Sequence, residues 1–150
     1  MRKQNKLLLS ILFFNATVLL HCSPSDRRPE GSQRAEMRFD QYYVQGKRLY
    51  LTHCANCHGQ EGEGLQQLNP PLAQSDYLLS NIEETVCIIN KGLEGEIEVN
   101  GVKFSQPMPP HTDLRILEIA EIITYITNSW DASSGIFSAR RVEQVYNNCK

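Results

Sequence analysis

The sequence has no apolar run long enough to cross a bilayer as a helix, which takes about 20 residues. Leu7–Leu20 is mostly apolar, but it stops at 14 residues and is broken by Ser10, Asn15 and Thr17. Aromatic residues are scarce, at 8%, and basic residues are not in excess: 15 Lys and Arg stand against 17 Asp and Glu. An acidic, aromatic-poor surface argues against a nucleic-acid partner. There is no internal repeat. The only C-x-x-C lies in no βαβ pattern, where a dithiol redox motif belongs. No second C-x-x-C or H-x-x-x-H follows it to complete a four-ligand zinc site.

What is present is Cys54-Ala55-Asn56-Cys57-His58. C-x-x-C-H is the attachment sequence for a c-type haem. Two thiols three positions apart can each form a thioether with one vinyl group of a single porphyrin. The adjoining histidine then reaches the iron as its proximal ligand. A haem held in this way does redox work. One motif and no repeat predict a single haem.

The N-terminus predicts export. Arg2, Lys3 and Lys6 form a positive segment, and the apolar run after them has the length of a signal-peptide core. Cys22 comes directly after that run and resembles the lipidated cysteine of bacterial lipoproteins, although His21 stands where a small residue is usual. The expectation is a lipoprotein-like signal over residues 1–21 with Cys22 lipidated; a cleaved soluble form and an uncleaved anchor are the alternatives. Loss of Arg2, Lys3 and Lys6 takes the formal charge from −2 to −5. Cys87 and Cys149 remain as an even pair in an oxidising compartment, where disulfides persist. They form either a disulfide or two unpaired thiols, one of them in a helix.

Residues 22–38 are rich in Ser, Arg, Pro and Glu, lack a hydrophobic period, and read as a flexible tether. Met37, within it, is no candidate ligand. Residues 39–150 read as one domain. A helix is expected from about Asp40 to His53, with Tyr43, Gly46, Leu49 and Tyr50 at helical spacing. Ser80 with Glu83, or Asn81 with Glu84, marks the start of a second helix that ends at Gly92. Asn100-Gly101, between Ile97-Glu98-Val99 and Val102-Lys103-Phe104, predicts a type I′ hairpin. A long helix is expected from Thr112 or Asp113 to about Ser129, with Arg115, Glu118, Glu121 and Asn128 on its wet face. A loop and a short helix carrying Val142, Val145 and Tyr146 follow. Glu83, Glu84, Glu94, Glu96 and Glu98 read as solvated faces rather than a metal or docking patch.

The second axial position has two candidates, Met108 and His111, because His21 lies in the signal and His53 adjoins Cys54. Met108 lies 50 residues after His58, inside Gln106-Pro107-Met108-Pro109-Pro110. Flanking prolines stiffen the segment, and His/Met ligation raises the potential of a haem iron. Met108 is the expected ligand and His111 the alternative.

With these residues, the chain resembles the small monohaem class I cytochromes c, especially exported, lipoprotein-like ones of Gram-negative bacteria, over roughly residues 39–130. The resemblance implies an all-α fold of three to four helices around one covalent haem c, with the hairpin before Met108 as a departure. It implies that Gly46 and Tyr50 on the first helix cross Tyr125 on the last, with Trp130 just beyond. It implies that the Pro70 carbonyl accepts a hydrogen bond from His58 and that Leu72 packs on the haem. The expected role is non-enzymatic: single electrons carried between dehydrogenase or oxidase partners, from a lipid anchor at Cys22 facing the periplasm. The alternatives are a haem subunit fixed in a larger oxidase or dehydrogenase, and a ligand sensor or peroxidase with an open sixth position.

Overall fold

The computed structural model describes residues 30–149. Helices dominate, and the one sheet among the described residues is a two-stranded hairpin. In chain order the elements are α1 (Glu30–His53), α2 (Ala55–His58), α3 (Asp76–Ser80), α4 (Ile82–Lys91), β1 (Ile97–Val99), β2 (Val102–Phe104), α5 (Ile116–Ile126) and α6 (Ala139–Tyr146). This is the mostly helical architecture expected, hairpin included. The expected signal over residues 1–21 and the lipid site at Cys22 lie outside the described residues.

The core is built where α1 crosses α5. Leu49 and Tyr50 are buried with Ile119, Ala120, Ile122, Ile123 and Tyr125. Gly46 makes the crossing possible: a Cβ there would run into the Glu121 carbonyl and the Cβ of Tyr125. The Tyr125 ring then packs at centroid distances of 5.2 Å from Tyr43, 5.3 Å from Tyr50 and 5.6 Å from Trp130. Such tilted and edge-on pairs add to simple area burial.

Three boundaries differ from the sequence reading. First, α1 begins at Glu30, not near Asp40, so residues 30–38 are helical where a tether was expected. Residues 31–38 are all exposed, so no apolar period marks them, but Gln33, Arg34, Ala35, Glu36 and Met37 are good helix formers. Second, of the two starts expected for the second helix, α4 takes the one at Asn81, its N-cap residue, and the box at Ser80 does not form. Ser80 ends α3, whose cap is Ser75, with Oγ accepting the Leu78 N–H at 3.1 Å. Asn81 breaks the helix at φ −130°, ψ 41°, and its side chain donates to the Tyr77 carbonyl instead of capping α4. Third, α5 starts at Ile116. The Glu118 carboxylate accepts the Arg115 N–H at 2.9 Å and pairs with the Arg115 guanidinium at 2.8 Å, which fixes the first turn there.

The hairpin forms in the expected register, Val99 opposite Val102 and Ile97 opposite Phe104. Asn100 and Gly101 both take positive φ, 52° and 76°, as a type I′ turn requires. A lone hairpin is marginal, and this one is anchored. Asp76 and Asn100 exchange backbone-to-side-chain hydrogen bonds at 3.1 and 2.8 Å, and Val99 and Phe104 are buried.

The C-terminal segment is tied down at several points. Cys87 and Cys149 form a disulfide, with 5.6 Å between their Cα atoms. Val142 of α6 is fully buried. Thr124 Oγ1 accepts the Phe137 N–H at 3.1 Å. Asn128, expected on a wet face, is half-buried, and its Oδ1 accepts the N–H groups of Ser134 and Gly135 at 2.9 and 2.7 Å.

Candidate functional site

The site begins where α1 runs into α2 almost without a break. The Cys54 N–H donates to the Tyr50 carbonyl at 2.8 Å, and the His58 N–H donates to the Cys54 carbonyl at 2.9 Å. Helical continuity puts residues three apart on one face, which brings the two thiols to the same side. Cys54 is half-buried and Cys57 exposed. Burial, and then the neighbouring Cys57, push the Cys54 thiol up to about 12. A reactive dithiol needs the opposite shift, toward thiolate at neutral pH.

His58 is buried, at 9% exposure, and its Nδ1 lies 2.9 Å from the Pro70 carbonyl. A carbonyl only accepts, so Nδ1 carries the proton and Nε2 keeps its lone pair. Burial lowers the imidazole's pKa below its ordinary value, partly offset by this hydrogen bond. A neutral ring with a directed Nε2 is the form that binds metal. Two further bonds hold the turn around it: Tyr50 Oη donates to the Gly59 carbonyl at 2.6 Å, and Asn69 Nδ2 donates to the Cys57 carbonyl at 3.0 Å.

Met108 is positioned by α4. The Met108 and Leu93 backbones exchange N–H···O bonds of 3.0 and 2.9 Å, and the His111 N–H donates to the Ile89 carbonyl at 2.8 Å. Gly92 takes φ 80°, and a Cβ there would press on the Met108 carbonyl oxygen. A residue other than glycine would strain this joint.

One cavity gathers these groups. Cys54, Cys57, His58, Pro70, Leu72 and Met108 all line it, as does His111. Its walls are otherwise mostly apolar, with Ile88 and Ile89 from α4, Val99 and Phe104 from the hairpin, and Ile122 and Ile126 from α5. The sequence reading placed the hairpin at the exposed haem edge without naming it as a wall, and it missed Asn69 as a support. Burial of Val99 and Phe104 needs contacts that alternation alone does not name. The lining fits a flat, mostly apolar macrocycle: two thiols at one rim, a neutral imidazole, a thioether, and no buried side-chain N or O without a partner among the described residues. Among those residues no cluster of three or more His, Cys, Asp or Glu could hold a separate metal.

The sequence model of cytochrome c matches residues 43–130, more than half of the chain. The chain belongs to the cytochrome c family. Cytochromes c are electron-transfer proteins, not enzymes, and their cofactor is covalent haem c; the cysteines of the attachment motif, Cys54 and Cys57, are present. The chain is 30% identical over 109 residues to cytochrome c-552 of Thermus thermophilus, covering 67% of this chain and 82% of that protein. It is 28% identical over 90 residues to the cytochrome c subunit of a quinone alcohol dehydrogenase from Gluconacetobacter polyoxogenes, covering 58% of this chain and 19% of that subunit. No helix among the described residues is long and apolar enough to cross a membrane.

Proposed function

We propose that this cytochrome c is an exported carrier of single electrons, with Cys54 and Cys57 as thioether donors and His58 and Met108 as axial ligands. When bound, haem c supplies a one-electron ferric–ferrous couple. The chain's own residues do the rest. The Pro70 carbonyl fixes the His58 ring and leaves Nε2 free for iron. The Leu93 pairing and the flanking prolines hold the Met108 segment in one conformation. Leu72 and the hairpin present apolar surface to the macrocycle. With His58 and Met108 both holding the iron, no position would be left for a substrate. The observation that carries the reading is the convergence of His58, with Nδ1 already satisfied, and Met108 on one apolar cavity.

Lipidation at Cys22 would keep the carrier at the envelope, facing the periplasm, with the segment before α1 as its lead. Labelled fatty acid incorporated into the protein and lost in Cys22→Ser supports this; a wild-type chain free of lipid overturns it. Likeness to a dehydrogenase's cytochrome c subunit favours a second reading, a haem subunit fixed in a larger complex. Purification in mild detergent separates the two, since a free carrier elutes without stoichiometric partners.

The test of ligation is the Met108→Ala holoprotein. The ferric protein should lose its weak red charge-transfer band, its potential should fall, and the ferrous form should bind carbon monoxide rapidly. Wild-type protein that already binds carbon monoxide rapidly at neutral pH would overturn the assignment.

A further inference from the structure

The outer face of α1 carries an apolar line that no other described residue covers. Met37, Val44 and Leu51 are 57%, 65% and 45% exposed. They lie seven residues apart, and a helix returns to within about 20° over seven residues. The three side chains therefore form one straight row over about 20 Å of helix. The row lies opposite the buried face of Gly46, Leu49 and Tyr50. Exposed apolar residues scattered singly need no explanation, but three in one line make a narrow apolar strip, one position per heptad where a full helix-pair seam has two.

The charges beside the row say what covers it. Asp40 and Lys47 flank one side and Gln41 and Arg48 the other, and all four are exposed. Two copies packed in parallel would set Lys47 of each beside Arg48 of the other, like charge against like. Two copies packed antiparallel about a two-fold axis at Val44 set Met37 on Leu51, Val44 on Val44, Asp40 beside Lys47, and Gln41 beside Arg48. Each pair then occurs twice, which is the self-complementarity an isologous interface requires. We infer that the outer face of α1 is a docking surface for a second copy of this chain, as an antiparallel α1–α1 dimer. A single row of three side chains is a small contact, in the transient class of interfaces. Dimerisation is therefore concentration-dependent and rises when two copies share one membrane surface.

Sedimentation equilibrium of the haem-loaded chain with Cys22→Ser, from low micromolar to about 1 mM, tests this. The mass should move from one copy toward two. Val44→Asp should hold it at one copy across the range. Lys47→Asp should weaken association at least tenfold, and Asp40→Lys combined with Lys47→Asp should restore it. An unchanged haem spectrum confirms that each variant is folded, as expected for exposed positions. Wild-type protein that stays monomeric throughout overturns the inference, as does a dimer indifferent to Val44→Asp. Monomers that bind phosphatidylcholine vesicles through the same row, with binding lost in Val44→Asp, also overturn it and assign the face to lipid.

Discussion

The hydroxyl of Tyr50 illustrates how single atoms hold this site. Tyr50 is fully buried, and its Oη donates to the Gly59 carbonyl one residue past His58 at 2.6 Å. Tyr50→Phe keeps the ring contacts with Tyr125 and Trp130 but leaves that carbonyl only the Gly62 N–H, at 3.4 Å. The expected loss is about 1–2 kcal/mol, read as a lower melting temperature of the holoprotein. Gly46 is less forgiving, because its neighbour is the backbone of α5. Gly46→Val should cost about 3 kcal/mol in the same assay by forcing the two helices apart. Glu118 gives an acid-side effect. Its hydrogen bonds to the Arg115 side chain and backbone, and then the guanidinium charge, hold its carboxyl at about 2, below the ordinary value of 4.5. A depressed carboxylate stabilises the fold above its unfolded pKa, and that contribution is lost as pH falls from about 4.5 toward 2. Glu118→Gln should flatten part of the stability loss across this window. The effect is small, because the Arg115 side chain is 81% exposed and water screens the pair.

Among the elements, those governed by local rules were legible in the sequence. Asn100-Gly101 announces the hairpin because only a few residue types tolerate positive φ at both turn positions. Helix α5 shows in its apolar stripe. What the sequence did not disclose depends on partners far along the chain. The short helix α3 ahead of Asn81 went unforeseen because Ser75 caps it through Leu78, and the Glu118 cap moves the start of α5 to Ile116. Asn128 is half-buried only because the loop at 134–135 folds back onto it. The early start of α1 was hidden because its first turns bury nothing. The Cys87–Cys149 bridge stood as one of two readings, since sequence supplies no Cα separation. It closes a loop across 62 residues and joins α4 to the end of the chain after α6. On the chain-entropy account, replacing both cysteines with serine should cost about 4 kcal/mol in the oxidised protein. Denaturant unfolding of the double variant checks this, and a change under 1 kcal/mol would show that α6 docks without the bridge.

At the scale of the whole molecule, the cavity and the core are one structure. Ile88, Ile89, Val99, Phe104, Ile122 and Ile126 line the site and are also buried side chains of the fold. If the macrocycle buries a few hundred Å² of this apolar surface, it contributes on the order of 10 kcal/mol at about 25 cal/mol per Å². That is comparable to the whole stability of a small domain. The haem-free chain is therefore expected not to fold compactly. Broad, poorly dispersed amide resonances and no cooperative melt would agree with this; a sharp thermal transition in the apo form would contradict it. The attachment motif and the Pro-flanked methionine could be read from the sequence because both are short and chemically specific. The hairpin's contribution to the cavity could not, because it needs Asp76 to anchor Asn100 from 24 residues away.

The most direct test of axial closure by His58 and Met108 is a proton NMR spectrum of the ferrous holoprotein with methyl-labelled methionine. The sequence has three methionines, Met1, Met37 and Met108. A thioether bound to haem iron lies in the shielding cone of the ring, so one methyl signal should move far upfield and vanish in Met108→Ala. A ferrous spectrum with no methionine methyl shifted upfield would contradict ligation by Met108, and with it the reading of this chain as a closed, His/Met-ligated electron carrier.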